Sequence, residues 1–199
     1  MIEELVLASA SPVRARLLSA AGVEFRGEPA AIDEGRVKLE FHAASRGADD
    51  CALALAEAKA GYVAGRNNRA CVIGADQILV CGGAWFDKPA DPGAARCQLQ
   101  ELRGRTHELV TAACVMQGET RLWQSVSRPR LSMRNFSDAF LDEYLEAEAE
   151  SILGSVGAYR LEGRGAQLFD RVEGDYFAIL GLPLFELLGF LRDRRIILS

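Results

Sequence analysis

The chain predicts a mixed α/β fold. Three observations carry that expectation. Apolar runs of strand length alternate with helical stretches along the sequence, most helical stretches carry cap residues at their ends, and two long β-like runs in the middle are joined by a tight turn, as an antiparallel pair is. The 199 residues are 49% apolar and 26% charged, which is ordinary for a globular chain and excludes a disordered tail, a coiled coil and a collagen-like repeat. Without internal repeats, low-complexity tracts or Pro/Ser-rich linkers, residues 1–199 are read as a single domain.

Leu5-Val6-Leu7-Ala8 is a buried-strand run. A helix then runs through Arg14 to Ala21, with Ser11 as N-cap, Pro12 at the first helical position and Gly22 closing it. Strand, polar loop and capped helix make the shape of an anion site, because the first helical N–H groups lack partners and the dipole favours negative charge there. Residues 49–63 predict a second helix from which Lys59 projects. Cys71 to Val80 is an apolar strand interrupted by Asp76-Gln77, and Gly82-Gly83 turns the chain after it. Asp91-Pro92 caps a helix through Leu102, stopped by Gly104. Two long strands, Thr106 to Met116 and Thr120 to Met133, meet at Gln117-Gly118-Glu119. Ser137 caps an acidic helix through Glu148; the Gly-rich stretch from Gly154 to Gly174 predicts loops and a short hairpin. Tyr176 to Leu180 predicts a last strand, and Pro183 opens a final helix through Asp193.

The net charge of −5 excludes a wholly basic surface for duplex DNA or anionic lipid, while leaving room for a local basic pocket. No nucleic-acid or membrane partner is therefore expected. Five cysteines form no CxxC pair, and four of them lie in apolar stretches, which reads as small buried side chains in a reducing compartment. Two distant histidines argue against a His/Cys zinc site. The start, Met1-Ile2-Glu3-Glu4, is acidic where a secretory signal is basic. The longest apolar run, Tyr176 to Phe185, is too short to span a bilayer. A cytoplasmic protein is the expectation.

Four polar clusters interrupt this apolar pattern. Ser9-Ala10-Ser11-Pro12-Val13-Arg14 offers hydroxyls, helix-start amides and a guanidinium suited to phosphate oxygens; a plain N-cap beside a surface arginine fits the same residues. Asp76 sits among Ile, Val and Leu, where a carboxylate must pair, bind a metal or shift its pKa; a turn-capping aspartate is the other reading. Lys59 and Lys88 are two of only three lysines beside 20 arginines, so each is a candidate for a site that needs a compact ammonium, or else an ordinary solvated lysine. Gly104-Arg105-Thr106-His107 places a histidine with no nucleophile at a telling spacing, which favours a loop contact or a structural hydrogen bond over catalysis. GxSxG, a P-loop and GxGxxG are all absent.

The order of these clusters is more specific than any one of them. Leu7-Ala8-Ser9-Ala10-Ser11-Pro12-Val13-Arg14, Ala58-Lys59-Ala60, Ile73-Gly74-Ala75-Asp76-Gln77, Asp87-Lys88-Pro89, Gly104-Arg105-Thr106-His107 and Gly181-Leu182-Pro183-Leu184 together resemble the Maf family. Gly157-Ala158-Tyr159, Glu162-Gly163 and Glu173-Gly174-Asp175-Tyr176 resemble its C-terminal blocks, so the likeness runs from about residue 5 to about residue 190. The resemblance implies a metal-dependent pyrophosphatase that cleaves a nucleoside triphosphate to the monophosphate and pyrophosphate. It also implies the fold of inosine-triphosphate pyrophosphatases, a long bent mixed sheet with two lobes and a central cleft, and a homodimer. Carried over by position, Asp76 is the proton acceptor, and Ser9, Ser11, Arg14, Lys59 and Lys88 bind the substrate. Glu34 joins Asp76 as a partner of Mg2+, Mn2+ or Co2+. That set suits the chemistry, since attack on an α-phosphate needs cations against the polyanion and a base for the water.

Base selectivity falls by the same resemblance on Val13, Gln77 and Glu162. Gln77 and Glu162 match the branch that prefers 7-methyl-GTP, and a carboxylate at 162 would accept from guanine N1–H and the 2-amino group. Val13 departs from it, standing where that branch has Trp and where the family commonly has the first Arg of Ser-Pro-Arg-Arg. The dTTP/UTP branch remains the alternative. A non-catalytic nucleotide-binding regulator of cell division is the reading from another class; a positioned carboxylate facing phosphates argues against it.

Overall fold

The computed structural model describes residues 4–198; the Met1–Glu3 part of the acidic start lies outside them. In chain order the elements are β1 (Leu5–Leu7), α1 (Pro12–Ala20), β2 (Arg26–Gly27), α2 (Glu34–Ala43), α3 (Ala48–Ala64), β3 (Cys71–Cys81), β4 (Ala84–Phe86) and α4 (Pro92–Leu102). They continue with β5 (Thr106–Gln117), β6 (Thr120–Ser127), β7 (Arg130–Met133), α5 (Asp138–Glu148), β8 (Phe169–Glu173), α6 (Tyr176–Ile179) and α7 (Leu184–Asp193), with short 3-10 turns at Ala149–Ile152 and Arg164–Leu168. The strands hydrogen-bond in the order β2-β1-β3-β5-β7-β8, with β4 on β3 and β6 on β5. β1 runs parallel to β2 and β3, whereas β4, β6, β7 and β8 pair antiparallel. The mixed α/β expectation holds.

Two compact units share the chain: the segments up to Gln77, Thr111–Ser127 and Asp175 onward form the first, Ile78–Val110 and Arg128–Gly174 the second. In the first unit the period of two along each strand decides what faces what. Leu5 and Leu7 of β1, Cys71, Ile73 and Ala75 of β3, and Ala113 and Val115 of β5 join one cluster with Leu17 and Leu18 of α1 and Leu184, Leu187 and Leu191 of α7. Each leucine buried there contributes about 1.5–3 kcal/mol. The alternate residues of β3 meet α3. Gly74 is the point of closest approach, because a Cβ on it would fall 2.0 Å from the Ala56 carbonyl oxygen. Glycine alone lets that helix lie against that strand.

In the second unit, Leu79, Val80 and Cys81 of β3 form a hairpin with β4 across Gly82-Gly83, both at positive φ, as such a turn requires. β7 lies between Thr106–Glu108 of β5 and β8. Asp91 caps α4 through Ala94 N–H at 2.7 Å, and Ser137 receives Phe140 N–H at 3.2 Å ahead of α5, as their residue types predict.

β3 runs through Asp76-Gln77 as one strand, as expected, since a polar side chain with a partner leaves the backbone ladder intact. Four expectations need correction. The long run Thr120–Met133 is two strands with Pro129, which has no N–H to give a ladder, between them. Phe169–Glu173 pairs with β7 rather than closing a local hairpin. Tyr176–Ile179 is a helical turn, not a strand: the Asp175 carboxylate takes the N–H groups of Phe177 and Ala178, and a run this short has no period of its own. α2, capped by Asp33 through Arg36 N–H, has no counterpart among the predicted helices. Cys51, Cys71, Cys81 and Cys114 are buried, Cys97 is exposed, and none of the five forms a disulfide. Among the described residues no helix is long and apolar enough to cross a membrane.

Candidate functional site

Three elements of the first unit bring three charged side chains together. Lys59, on the α3 face that meets β3, places Nζ 2.6 Å from Asp76 Oδ1 and 2.8 Å from Glu34 Oε1. The Lys59 and Asp76 side chains keep only 10% and 6% of their surface, so theirs is a buried, charge-assisted bond; Glu34, at the start of α2, keeps 47%. Asp76 Oδ2 is buried and has no hydrogen-bond partner among the described residues. A carboxylate with one oxygen held and one left over is ready to accept a proton or a cation.

Arg14, in the first turn of α1, is half-buried on the same unit. Its Nε donates to Gly181 O at 2.7 Å, and Nη1 donates to Ala75 O at 3.0 Å and Ser9 Oγ at 3.1 Å. Burial pushes the guanidinium pKa down, while the charges of Asp76 and Glu34 pull it back up. Gly181, at φ +102°, has no Cβ to crowd that guanidinium; one would lie 3.3 Å from Nε. Ser9 Oγ also accepts from Ser11 N–H at 3.2 Å, and Ser11 Oγ from Arg14 N–H at 3.4 Å. Since Pro12 has no N–H, much of the first-turn donor set that the sequence offers to an anion is used within the protein. Lys59 and Arg14 against Asp76 and Glu34 leave the cluster with no formal net charge.

Ser9, Ser11, Val13, Arg14, Glu34, Lys59, Asp76 and Gln77 all belong to the first unit, Lys88 and Glu162 to the second. Lys88 is exposed in the segment between β4 and α4. Glu162 sits 3.6 Å from Arg160 Nε, so its carboxylate faces a cation. Val13 and Gln77 are half-buried, and Gln77 turns its amide nitrogen to Thr111 Oγ1, Ala178 O and Ile179 O. His107 is buried in the second unit, bonded through Nε2 to Tyr159 O–H at 2.8 Å, with Nδ1 unpartnered among the described residues. Burial lowers its pKa to about 4, which fits the expected structural bond. Thr111, hidden in the apolar run of β5, was not singled out by the sequence and carries no local signal. Gly74 did carry one, as a glycine inside a strand marks a close backbone approach.

Residues 4–194 match the family described as Maf-like protein. A nucleoside triphosphate pyrophosphatase of Granulibacter bethesdensis is 52% identical over 96% of this chain and 98% of its own length. Another of that name, from Paramagnetospirillum magneticum, is 50% identical over 94% and 97%. A 7-methyl-GTP pyrophosphatase of Rhizobium meliloti is 47% identical over 95% of each.

Proposed function

The chain belongs to the Maf-like protein family, and from that premise we propose that it is a nucleoside triphosphate pyrophosphatase in which Asp76 activates water. The observation that carries the reading is the state of Asp76: Oδ1 is held by Lys59, and Oδ2 is buried without a partner. Oδ2 orients a water and takes its proton as the oxygen attacks the α-phosphorus. The bond from that phosphorus to the bridging oxygen breaks, and pyrophosphate leaves. Lys59 keeps Asp76 in place, and Arg14, Ser9 and Ser11 face the phosphates from the start of α1. Lys88 is carried as a further phosphate-binding residue by its place in the family's sequence pattern alone.

A divalent cation, Mg2+, Mn2+ or Co2+, fits the residues present. The cluster of Arg14, Lys59, Asp76 and Glu34 has no surplus positive charge to offer a triphosphate. Among the described residues no group of three or more His, Cys, Asp or Glu could hold a metal alone. Asp76 and Glu34 would hold the cation from the protein's side, in keeping with the one or two carboxylates that usually bind Mg2+ beside substrate phosphates. The cation supplies charge neutralisation at the phosphates.

A guanine-type substrate such as 7-methyl-GTP is the proposed preference, resting on Gln77 and Glu162. Five cysteines without a disulfide among them suit a reducing compartment, and the protein is taken to act in the cytoplasm as a homodimer, without nucleic-acid or membrane partners.

Pyrophosphate release from a nucleotide panel that includes 7-methyl-GTP and UTP, with Mg2+ or Mn2+ and again with chelator, tests the reading. Asp76→Asn should keep the fold and lower turnover roughly a hundredfold or more. An Asp76→Asn protein that turns over normally removes the base assignment. A wild type that binds nucleotide and releases no pyrophosphate favours the regulator.

A further inference from the structure

Both chain neighbours of Asp76 are tied to one stretch of backbone, residues 178–181. On one side the Ala75 carbonyl accepts from Arg14 Nη1 at 3.0 Å, and the same guanidinium donates through Nε to Gly181 O at 2.7 Å. On the other side Gln77 Nε2 lies 3.0 Å from Ala178 O, 3.1 Å from Ile179 O and 2.8 Å from Thr111 Oγ1. Carbonyl oxygens only accept, so the nitrogen end of the Gln77 amide is the end that faces them. Thr111 Oγ1 gives its proton to Ala178 O at 2.8 Å and is thereby left to accept from Gln77. Thr111 is wholly buried, so water cannot replace its hydroxyl at that point.

Alternation along β3 puts Asp76 and Gln77 on opposite faces of one strand, joined by a single peptide plane. A backbone rotation that frees Gln77 therefore re-aims Asp76. We infer that Thr111 is a positioning residue: by anchoring Gln77 to the 178–181 turn it fixes one side of Asp76, as Arg14 fixes the other. The inference rests on the pyrophosphatase reading and deepens it. Misplacing a reacting group by an ångström can slow a reaction about a hundredfold; a hydroxyl with only a packing duty would affect stability and leave turnover per folded molecule unchanged.

The test compares wild type, Thr111→Val and Thr111→Ser in pyrophosphate release from 7-methyl-GTP and UTP, with activity normalised to folded protein. Thr111→Val, which keeps the shape and loses the hydroxyl, should lower kcat roughly tenfold or more on both nucleotides with KM held within about twofold. Thr111→Ser should recover most of that loss. Unchanged kcat in Thr111→Val, a loss confined to KM, or a changed nucleotide ranking with kcat kept overturns the positioning role. A wild type that releases pyrophosphate from neither nucleotide overturns the underlying reading and this inference with it, and is recognised before any variant is compared. Should Thr111→Val not fold, the wild-type Gln77 side-chain amide decides the matter. Its protons should exchange with solvent roughly tenfold or more slowly than those of an exposed glutamine, and exchange at the exposed rate overturns the anchor.

Discussion

Replacing Lys59 by methionine separates the charge at the centre of the site from the packing around it. Methionine retains an unbranched apolar stem between α3 and β3 and deletes the ammonium. The two carboxylates left behind fare differently. Glu34 is 47% exposed and returns to water, whereas Asp76 is 6% exposed and has no second partner for its other oxygen. The exposed arm contributes at most about 1 kcal/mol. Removing one partner of a buried pair costs about 3–5 kcal/mol, because the remaining charge is stranded. Arg14 lies near enough to feel the charge of Asp76, which keeps the loss at the lower end, about 3 kcal/mol. That is a large share of the ~5–15 kcal/mol that holds a domain folded. Urea unfolding at neutral pH of wild type, Lys59→Met, Asp76→Asn and the double variant measures it. Asp76→Asn in the Lys59→Met background should recover part of the loss, since it removes the stranded charge. A Lys59→Met protein within about 1 kcal/mol of wild type, or a cycle without coupling, refutes the argument.

Three further outcomes are expected. Because burial lowers the His107 pKa from 6.5 to about 4, the unfolded chain binds the proton first as pH falls, so the stabilisation is full above 6.5 and lost toward 4. The loss amounts to about 3 kcal/mol, and an NMR titration of the ring with a midpoint near the ordinary value would contradict it. Gly74→Ala drives a Cβ into the Ala56 carbonyl, so α3 must move off β3; thermal unfolding should show a loss of about 3 kcal/mol or more, and a variant as stable as wild type means that the contact relaxes easily. Glu162→Gln should lower the preference for guanine-type nucleotides over UTP in competitive turnover, and an unchanged ranking takes Glu162 out of base recognition.

How far the sequence could be read depended on whether the information was local. Ser11-Pro12, Asp91-Pro92, Ser137 and Gly82-Gly83 were legible because a cap or a turn is settled by residues within one turn of the chain. Asp76 stood out because a carboxylate among Ile, Val and Leu demands a partner. Which partner it would have was not local information: Lys59 and Glu34 are 17 and 42 positions away in the numbering. Packing of α3 onto β3 at Gly74 is what brings the ammonium to the carboxylate. Tyr176–Leu180 misled for the converse reason, since five residues fit either period and the Asp175 cap decided between them.

By itself, then, the sequence determined the alternation of elements, their caps and the set of polar residues with no duty in an apolar core, since each follows from nearest-neighbour chemistry. Tertiary structure alone decided that Lys59 spans two carboxylates, that Asp76 keeps one oxygen without a partner, and that Thr111 and Arg14 tie the residues beside Asp76 to the 178–181 turn. Those contacts join positions as far apart as Arg14 and Gly181, and only the parity of the strands and the closeness of their packing sets which side chains meet.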